Sequence, residues 1–585
     1  MPVEVSRFIF KGGLDLEKPY QSRALGALID ALNYEARPSG GYRSIDGYEK
    51  YDGQSASMAA PAGSGGIRGV WVYGGVGYCI RDNAGGTAGV LYKESASGWQ
   101  AQTLSSYLKF ASGVTQFVEG EVINGQTSGA TATVRRVARN SGATASSSLA
   151  GLVVLSGITG TFQNGENLRS GATVRAVANG TVTQHTLAPG GSYHFWNYNF
   201  LGNASSQRMY AAGGVDYAFE WDGTYSVPIL QKQGSNFPSN IVAHSGHLFL
   251  AFGSDGIMRN SSTGIPLDYI STTGAADVGV GDSITDLRPT VGGVLFIGCA
   301  ASVQLLYGTS SADWELKRFS DHGVRARTMK EIGGSMVALD SRGVQRIQQT
   351  ASFGDFESLS LSVGVNQRLL PVLSQITAPV AAVSKNKDQY RLFFGKTGYY
   401  FSFNAGKLIG IMPVTFKHDV VCVAEGETSS GDELILFGDA LGTVYRMNSS
   451  YKFDGQDILG ALELEFDAAN RPTQRKQYGK AAFYVRVEGG APTLSGRAKF
   501  DFNSGETPAT DLASASLAGS PGGTQWDEGQ WDTFYWADDG SSEVALRIDG
   551  IGQCVSISIF STGSANGAHV FQSGAVHWRP RRLVR

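Results

Sequence analysis

Short apolar runs alternate with turn-forming residues along most of the chain. A recurring unit combines an apolar run, a turn rich in Gly or Asp, and a second apolar run, which is the pattern of a β-hairpin. Such units begin at Val70, Met209, Leu248, Val294, Met336, Tyr390 and Leu434. From Met209 onward they recur at intervals of roughly 40–50 residues, which is the spacing of propeller blades. The pattern therefore predicts an all-β protein built around a β-propeller of about six to eight blades.

Two stacked β-sandwiches are the alternative interpretation of this pattern, because sandwiches also contain successive hairpins. A single small sheet cannot bury both of its faces, and radial packing of several sheets buries them against each other. The steady spacing of the units favours the propeller over the sandwiches.

The first two units are separated by a gap that is too long for one blade. Residues 106–188 fill it and contain a duplication. The segments FVEGEVINGQTSGATATVRRV from Phe117 and FQNGENLRSGATVRAV from Phe162 share F-x-x-G-E, then S-G-A-T, then alternating small and β-branched residues. Alternation with a period of two is typical of strands, so we expect a separate small β module with its glycine-rich loops on the outer surface.

The two ends of the chain depart from the blade period. Near the N-terminus, Leu25, Leu28, Ile29 and Leu32 follow a helical period, which predicts one amphipathic helix over residues 21–36. A second, short helix is predicted over residues 365–376, interrupted by Pro371. Beyond residue 455, long alternating runs such as ALELEF and AAFYVRV predict a β-sandwich.

These patterns divide the chain into five parts. The predicted parts are an N-terminal arm with the helix and a ring-closing strand (1–60), a first blade (61–105), the inserted module (106–188), the remaining blades (189–455) and a C-terminal β domain (456–585).

Composition narrows the function classes. The chain has 585 residues, 78 glycines and only 17% charged residues, with a formal net charge of −3. Near-neutral charge does not indicate a basic face for tight nucleic-acid binding. No apolar run is long enough to span a bilayer, so we expect no stable membrane insertion. The four cysteines, Cys79, Cys299, Cys422 and Cys554, lie far apart in strand-like runs, and we expect buried free thiols.

Motifs for catalysis or for cofactor binding are absent from the sequence. No G-x-S-x-G, H-E-x-x-H or calcium-loop pattern occurs. His244 and His247 have the spacing H-x-x-H, but Ser245 and Gly246 predict a turn with solvent-facing histidines rather than a metal site. We therefore expect no catalytic residues, no cofactor and no metal.

Two segments remain as candidate partner contacts. Trp526, Trp531 and Trp536 recur every five residues among carboxylates, as in the sugar-stacking surfaces of glycosidases and lectins. Because an odd spacing places neighbours on opposite faces of a strand, tryptophans packed across sheets are the favoured interpretation. The other segment is the basic C-terminus with Arg579, Arg581, Arg582 and Arg585, which suits an acidic partner or phosphates, although a solvated end is more common.

Several stretches together resemble the tail nozzle of short-tailed bacteriophages, the tail tubular protein B-like family. The stretch FKGGLDLEKPYQSRALGALIDALNYEARPSGGYRSIDGYEKYDG is similar to the opening of that family, with G-G-x-R-x-x-x-G-Y at Gly40 to Tyr48. Four further stretches of this chain resemble the blades of that family. They are HSGHLFLAFGSDGIMRNSSTGIPLDY, VGVGDSITDLRPTVGGVLFIGCAASVQLLYG, DSRGVQRIQQTASFGDFESLSLS and GDALGTVYRMNSSYKFDG. The duplicated module and the W-D-x-x-x-W-D segment resemble domains of related tail proteins.

The resemblance implies a structural virion protein of the viral tail, assembled in the host cytoplasm and without catalytic activity. It implies a hexameric ring below a head-to-tail adaptor protein, with tail fibres or spikes on its outside. The ring would extend the DNA channel and close it until ejection, and genomic DNA would then pass through it without sequence recognition. Two other functions stay open at this stage. One is a propeller-based phage glycan depolymerase, and the other is a tail module that binds a receptor or a fibre.

Overall fold

The protein is built almost entirely from antiparallel β-sheets. The computed structural model describes residues 2–19, 22–55, 58–290, 292–349, 356–488, 493–502, 510–516, 541–562 and 568–581. Seven sheets follow one another as the blades of a β-propeller, and the remaining strands form a β-barrel and a two-sheet sandwich. No helix among the described residues is long and apolar enough to cross a membrane.

Blades 1 to 6 are antiparallel sheets whose strands follow one another in sequence from the inner to the outer edge, and blade 7 departs from this order by including a strand from the N-terminal part of the chain. Blade 1 consists of Ser64–Tyr73, Val76–Asp82, Gly89–Lys93 and Gln100–Ala101. Blade 2 consists of His194–Tyr198, Arg208–Ala212, Ala218–Trp221 and Ser226–Ile229. Blade 3 consists of Asn240–His244, His247–Phe252, Ile257–Asn260 and Ala276–Gly279.

Blades 4 to 7 continue the series. Blade 4 consists of Ile284–Pro289, Leu295–Cys299, Val303–Tyr307 and Glu315–Ser320. Blade 5 consists of Lys330–Ile332, Ser335–Asp340, Gly343–Gln349 and Phe356–Ser360. Blade 6 consists of Val380–Ser384, Gln389–Asn404 and Lys407–Val420. Blade 7 consists of Cys422–Glu427, Glu433–Gly438, Val444–Met447, Tyr48–Lys50, Lys452–Phe453 and Gln456–Asp457.

Blade 6 has the same plan as the others, although its second element is unusually long. Gln389–Asn404 folds back on itself at a turn through Gly395, whose φ is 64°. Across this turn, the Phe403 amide donates to the Asp388 carbonyl at 2.9 Å. The seven hairpin units of the sequence thus each fall on one blade, and the prediction of six to eight blades is confirmed with seven.

Short helices occupy a few of the connections. An α-helix spans Asn366–Leu373 between blades 5 and 6 and contains Pro371, close to the predicted short helix. The described 3-10 turns are Ala204–Ser206, Gly253–Asp255, Ser271–Thr273 and Val363–Val365.

The propeller ring is closed by a strand from the N-terminal part of the chain. Tyr48–Lys50, the closing strand, pairs antiparallel with Val444–Met447 in blade 7. The Tyr48 side chain is fully buried, and its ring lies 4.9 Å from those of Phe437 and Phe453. Its hydroxyl oxygen accepts from the Lys417 and His418 amides of blade 6, each at 3.1 Å. One side chain therefore joins the closing strand to two blades.

The predicted N-terminal helix over residues 21–36 is wrong. The segment contains the strands Leu28–Leu32 and Tyr34–Ala36. Gly26 has a φ of 91°, and a Cβ there would lie 1.9 Å from the Ile9 carbonyl oxygen, so the chain turns where a helix would continue. Asn33 adds a second left-handed residue with a φ of 57°. Of the apolar residues that matched a helical period, Leu28 is buried by strand pairing with Leu464, far along the chain, whereas Leu25 is 44% exposed.

The N-terminal strands complete a sandwich with the end of the chain. The first sheet consists of Tyr34–Ala36, Tyr42–Ser44, Ala568–Pro580, Lys476–Glu488 and Ser541–Gly552, with Glu4–Ile9 also paired to Ala568–Pro580. The second sheet consists of Leu28–Leu32, Leu459–Leu464, Val555–Thr562, Thr493–Phe500 and Thr510–Ser516. A continuous apolar core joins the sandwich to blades 5 and 6.

A buried ionic network ties the N-terminal segment to blade 6 and to the sandwich. Glu35 accepts from Lys387 of blade 6 at 2.7 Å and from Arg43 at 3.2 Å. Arg43 also contacts Glu488 of the sandwich at 2.7 Å. Burial works to raise the pKa of Glu35, but the charges of Lys387, Arg391 and Arg43 outweigh it and hold the value at about 2. The carboxylate is therefore ionised and paired.

The inserted module between blades 1 and 2 is a closed barrel. Its strands are Ser106–Gly113, Val122–Gly125, Thr131–Ser141, Leu149–Thr159, Asn167–Ser170, Thr173–Ala178 and Thr183–Gln184. The first of these pairs with both Leu149–Thr159 and Thr173–Ala178, which closes the ring of strands. The duplication has a structural counterpart, because the amides of Gly120 and Gly165 each donate at 2.8 Å, to the carbonyls of Val134 and Ala178.

The barrel is held on the propeller by buried charges. Arg136 contacts Glu220 of blade 2 at 2.6 Å, and Arg139 contacts Asp268 beside blade 3 at 2.8 Å. Both carboxylates are buried, so each needs its arginine partner. Apolar residues of the barrel and of blades 2 and 3 share one core around these pairs. The barrel is therefore a fixed part of the body.

Tyr48→Ala is expected to destabilise the protein by about 3–5 kcal/mol, because it removes a buried aromatic ring at the closing strand. Tyr48→Phe keeps the ring and loses only its hydrogen bonds, so the expected cost is about 1–2 kcal/mol. The free energy of unfolding is measured by urea titration of each variant.

Tyr451→Ala is the matched control, because Tyr451 is 40% exposed in the same region. We expect that variant to stay within about 0.5 kcal/mol of the parent chain. Equal losses for Tyr48→Ala and Tyr451→Ala would contradict the role assigned to the closing strand.

Candidate functional site

A wide funnel lies on the propeller axis. It has a volume of about 850 Å³ and opens on the face where the outer strand of one blade leads to the inner strand of the next. Its wall includes residues at or just before the first strands of blades 3, 4 and 6, namely Ser239, Asn240, Ile284, Thr285, Thr377 and Val380. Hydroxyl and amide side chains make up much of this wall.

The funnel narrows to a small pocket, the neck, of about 40 Å³. The neck is lined by the innermost residues of blades 1, 2, 4, 5, 6 and 7, namely Val70, Trp71, Tyr193, His194, Phe195, Arg288, Arg327, Lys330, Val380, Ala381, Cys422 and Val423. The propeller axis is thus filled by side chains rather than open. A nucleic-acid duplex does not fit through the centre of a single subunit.

Charged side chains gather around the neck. The Lys330 Nζ donates to Glu425 Oε1 at 2.5 Å. Asp286 is fully buried and accepts from the amides of Leu287 at 2.9 Å and Met329 at 3.2 Å. The Arg288 Nε lies 4.0 Å from Asp286 Oδ1. These groups come from blades 4, 5 and 7, so the propeller brings together charges that are distant in sequence.

Arg327 occupies the junction between funnel and neck and lines both. Its backbone has a φ of 62°, a left-handed conformation that costs energy for a residue with a Cβ. Its carbonyl accepts from the Ala381 amide of blade 6 at 3.1 Å, which fixes the backbone in place. Among the residues that the structure describes, no hydrogen bond or ion pair engages its guanidinium.

The electrostatic environment of the neck is positive. Burial lowers the pKa of His194 well below its ordinary value of 6.5, and the charges of Arg288, Arg327 and Lys330 lower it further. Burial also lowers the pKa of Lys330 and of Arg327. His194 is therefore neutral at physiological pH, and the arginines and the lysine supply the positive charge.

The candidate residues from the sequence lie elsewhere. Arg579 is exposed at the end of a sandwich strand, and the exposed Arg581 donates to Gln477 Oε1 at 3.2 Å. Neither lies near the funnel. Trp526, Trp531, Trp536, Arg582 and Arg585 lie outside the described residues.

The expectation that His244 and His247 face the solvent is wrong. Both are buried, and the His247 Nδ1 lies 2.6 Å from the Ser261 carbonyl oxygen. The turn at Ser245 and Gly246 leads directly into a fully buried strand, which takes both rings inward. In the described part of the chain, no group of three or more His, Cys, Asp or Glu side chains is placed to hold a metal ion. The four cysteines are free and buried, which confirms that prediction.

Sequence reasoning missed the groups around the neck. Arg288, Arg327 and Lys330 stand in separate short segments, and none belongs to a motif. One signal was available, because Arg288 and Lys330 lie in Ile284–Pro289 and Lys330–Ile332, the first strands of blades 4 and 5. A charge at the inner edge of a blade points to the axis once the blades are known.

The comparisons with known proteins identify similarity in fold only. No protein-family model and no curated protein matches the chain. Among solved structures, the WD40 domain of Toxoplasma gondii coronin matches with 9% identity over 71% of this chain and 87% of that one, at a TM-score of 0.33. A chain of the mitotic checkpoint complex matches with 9% identity over 58% of this chain and 93% of that one, at a TM-score of 0.30. Virginiamycin B lyase from Staphylococcus aureus matches with 7% identity over 44% of this chain and 99% of that one, at a TM-score of 0.29.

His194 is expected to make the protein less stable in mild acid. Since its pKa is lower in the folded than in the unfolded chain, the unfolded chain binds more protons as pH falls below about 6.5, and unfolding becomes easier. His194→Gln should therefore flatten the loss of stability between pH 6.5 and 5 by up to ~1.4 kcal/mol per pH unit. Urea titrations at several pH values measure this slope.

His322→Gln is the control, because His322 is exposed on the funnel rim. We expect that variant to keep the slope of the parent chain. A His194→Gln slope identical to the parent slope would show that the ring is not held neutral by the neck.

Proposed function

We propose that this chain is a structural subunit of a short-tailed phage tail nozzle, which extends the DNA-ejection channel below the head-to-tail adaptor. In this proposal, copies of the chain form a closed ring, most simply a hexamer, and tail fibres or spikes attach to its outside. The protein acts in the virion tail and carries no catalytic activity. The sequence resemblance supplies the identity of the assembly, and the structural features below support it.

An edge strand with two exposed apolar side chains on its outward face is the observation that carries the proposal. Glu4–Ile9 pairs with Ala568–Pro580 on one side only among the described strands. Val5, Arg7 and Ile9 alternate outward from it, and the apolar Val5 and Ile9 are 43% and 58% exposed on either side of the exposed Arg7. Tyr484, 42% exposed, stands on the same face two strands away, because both Ile9 and Tyr484 are paired with Ser573. Apolar patches on sheet edges are typical of surfaces that bind another chain.

A ring needs a heterologous contact, in which one patch of each subunit meets a different patch of the next. The edge strand supplies one such patch at the periphery of the sandwich, away from the propeller axis. The filled neck is consistent with this arrangement, since DNA would travel along the axis of the ring and not through a propeller. A net charge of −3 suits a channel that must release phosphates rather than retain them.

Rigidity is the second property that a nozzle requires. The closing strand, the shared sandwich and the buried pairs of Arg136 and Arg139 join propeller, barrel and sandwich into one body. The barrel also presents Val118 and Val122, which are 57% and 59% exposed, as a separate outward patch suited to a fibre. The depolymerase alternative gains no support from the described residues, because its tryptophan segment lies outside them.

The mass of the native assembly tests the proposal. In solution, or in tails isolated from virions, we expect a particle of about six copies of the 62.0 kDa chain by native mass spectrometry. Val5→Glu together with Ile9→Glu replaces both exposed apolar side chains of the edge strand with charges and should reduce the particle to single chains.

Val118→Glu with Val122→Glu is the matched control, because it changes the same kind of exposed pair on the barrel. We expect this variant to keep the ring intact. A single copy of the parent chain in both preparations, or equal disruption by the two double variants, would contradict the proposal.

A further inference from the structure

We propose that the neck of the propeller funnel binds the carboxylate of a small hydroxylated acid, of the sugar-acid class, through the guanidinium of Arg327. This site is separate from the surfaces that the nozzle proposal uses. It rests on the balance of charge around the neck, on the position of Arg327 and on the lining of the funnel.

The charges around the neck do not balance. Three basic side chains, Arg288, Arg327 and Lys330, line the neck, and two carboxylates, Asp286 and Glu425, lie beside it. Lys330 is paired with Glu425, and Arg288 lies beside Asp286. The half-buried Arg327 is therefore left with a positive charge that no described carboxylate pairs with. A charge that is partly withdrawn from water is stabilised by a bound monoanion.

Arg327 is the group left without a partner. Within the described chain, no acceptor lies in hydrogen-bond or ion-pair contact with its guanidinium, whereas the Arg327 backbone is held in a strained conformation by blade 6. Strain of this kind persists at sites where a side chain must be held in a fixed direction. A planar guanidinium offers two parallel donors, which match one carboxylate.

The shape of the cavity selects a single carboxylate with a polar body. The neck, at about 40 Å³, has room for little more than a water-sized group. The funnel above it, at about 850 Å³, has the size of a small-molecule site. Ser239 and Thr285 line that space, and their hydroxyls donate to Asn240 Oδ1 and to the Val324 carbonyl, so their remaining lone pairs can accept from the hydroxyls of a polyhydroxylated body. A phosphate dianion would instead exceed the one surplus charge.

Binding of D-glucuronate to the whole protein tests the site by isothermal titration calorimetry. We expect saturable binding of D-glucuronate, with no binding of methyl glucoside, which lacks the carboxylate. Arg327→Asn should weaken binding at least tenfold, because asparagine tolerates the left-handed backbone but carries no charge. Arg327→Lys keeps the charge and should retain part of the affinity.

Arg547→Gln is the control, because Arg547 is 82% exposed and pairs with Asp549 on the sandwich, away from the funnel. It should bind D-glucuronate as the parent chain does. Thermal unfolding of each variant without ligand confirms that it is folded. Absence of D-glucuronate binding to the parent chain, equal binding by Arg327→Asn, or binding of inorganic phosphate in place of D-glucuronate would overturn the proposal.

Discussion

The pairing of Tyr48–Lys50 with Val444–Met447 is the interaction on which the rest of the structure depends. A propeller is a ring of sheets that each bury their faces against two neighbours, so an open ring leaves two faces exposed. Here the outer strand of the last blade comes from a residue range more than 390 positions earlier in the chain. The ring is therefore complete only when both ends of the propeller sequence have met.

The segments on either side of the propeller turn this closure into a larger body. The residues before the closing strand belong to the same sandwich as the end of the chain, so the sandwich cannot form without bringing the two together. Glu35 adds a buried charge that is satisfied by blade 6 and by Arg43. The barrel is attached to the propeller in the same way, because Glu220 and Asp268 are buried and each pairs with an arginine of the insertion. Apolar packing supplies the energy, and these polar contacts fix the relative positions.

Much of the fold was predictable because its units are local. The hairpins at Met209 and Leu248 consist of neighbouring apolar runs and turns, and their repeat reveals the blades without any knowledge of long-range contacts. The segment around Leu28 was not predictable in this way. Its apolar residues match the period of a helix, but Leu28 pairs with Leu464 in a β-sheet, and only the tertiary structure shows that pairing. Local pattern fails where distant strand pairing decides the outcome.

The candidate site was hidden from the sequence for a related reason. Arg288, Arg327 and Lys330 acquire a common environment only through the radial arrangement of blades 4 and 5. The motifs that did stand out, the tryptophan segment and the terminal arginines, are conspicuous in sequence because their residues are close together. In a propeller, closeness along the chain does not predict which residues share a site, because residues from different blades meet at the axis.

Hydrogen exchange of the closing strand tests the central claim most directly. If the ring depends on that strand, amides of residues 48–50 and 444–447 exchange as slowly as those of the buried strand His247–Phe252 in blade 3, and all are released together by denaturant. Rapid exchange of residues 48–50 while blade 3 stays protected would mean that the propeller is stable without its closing strand, and would contradict the account.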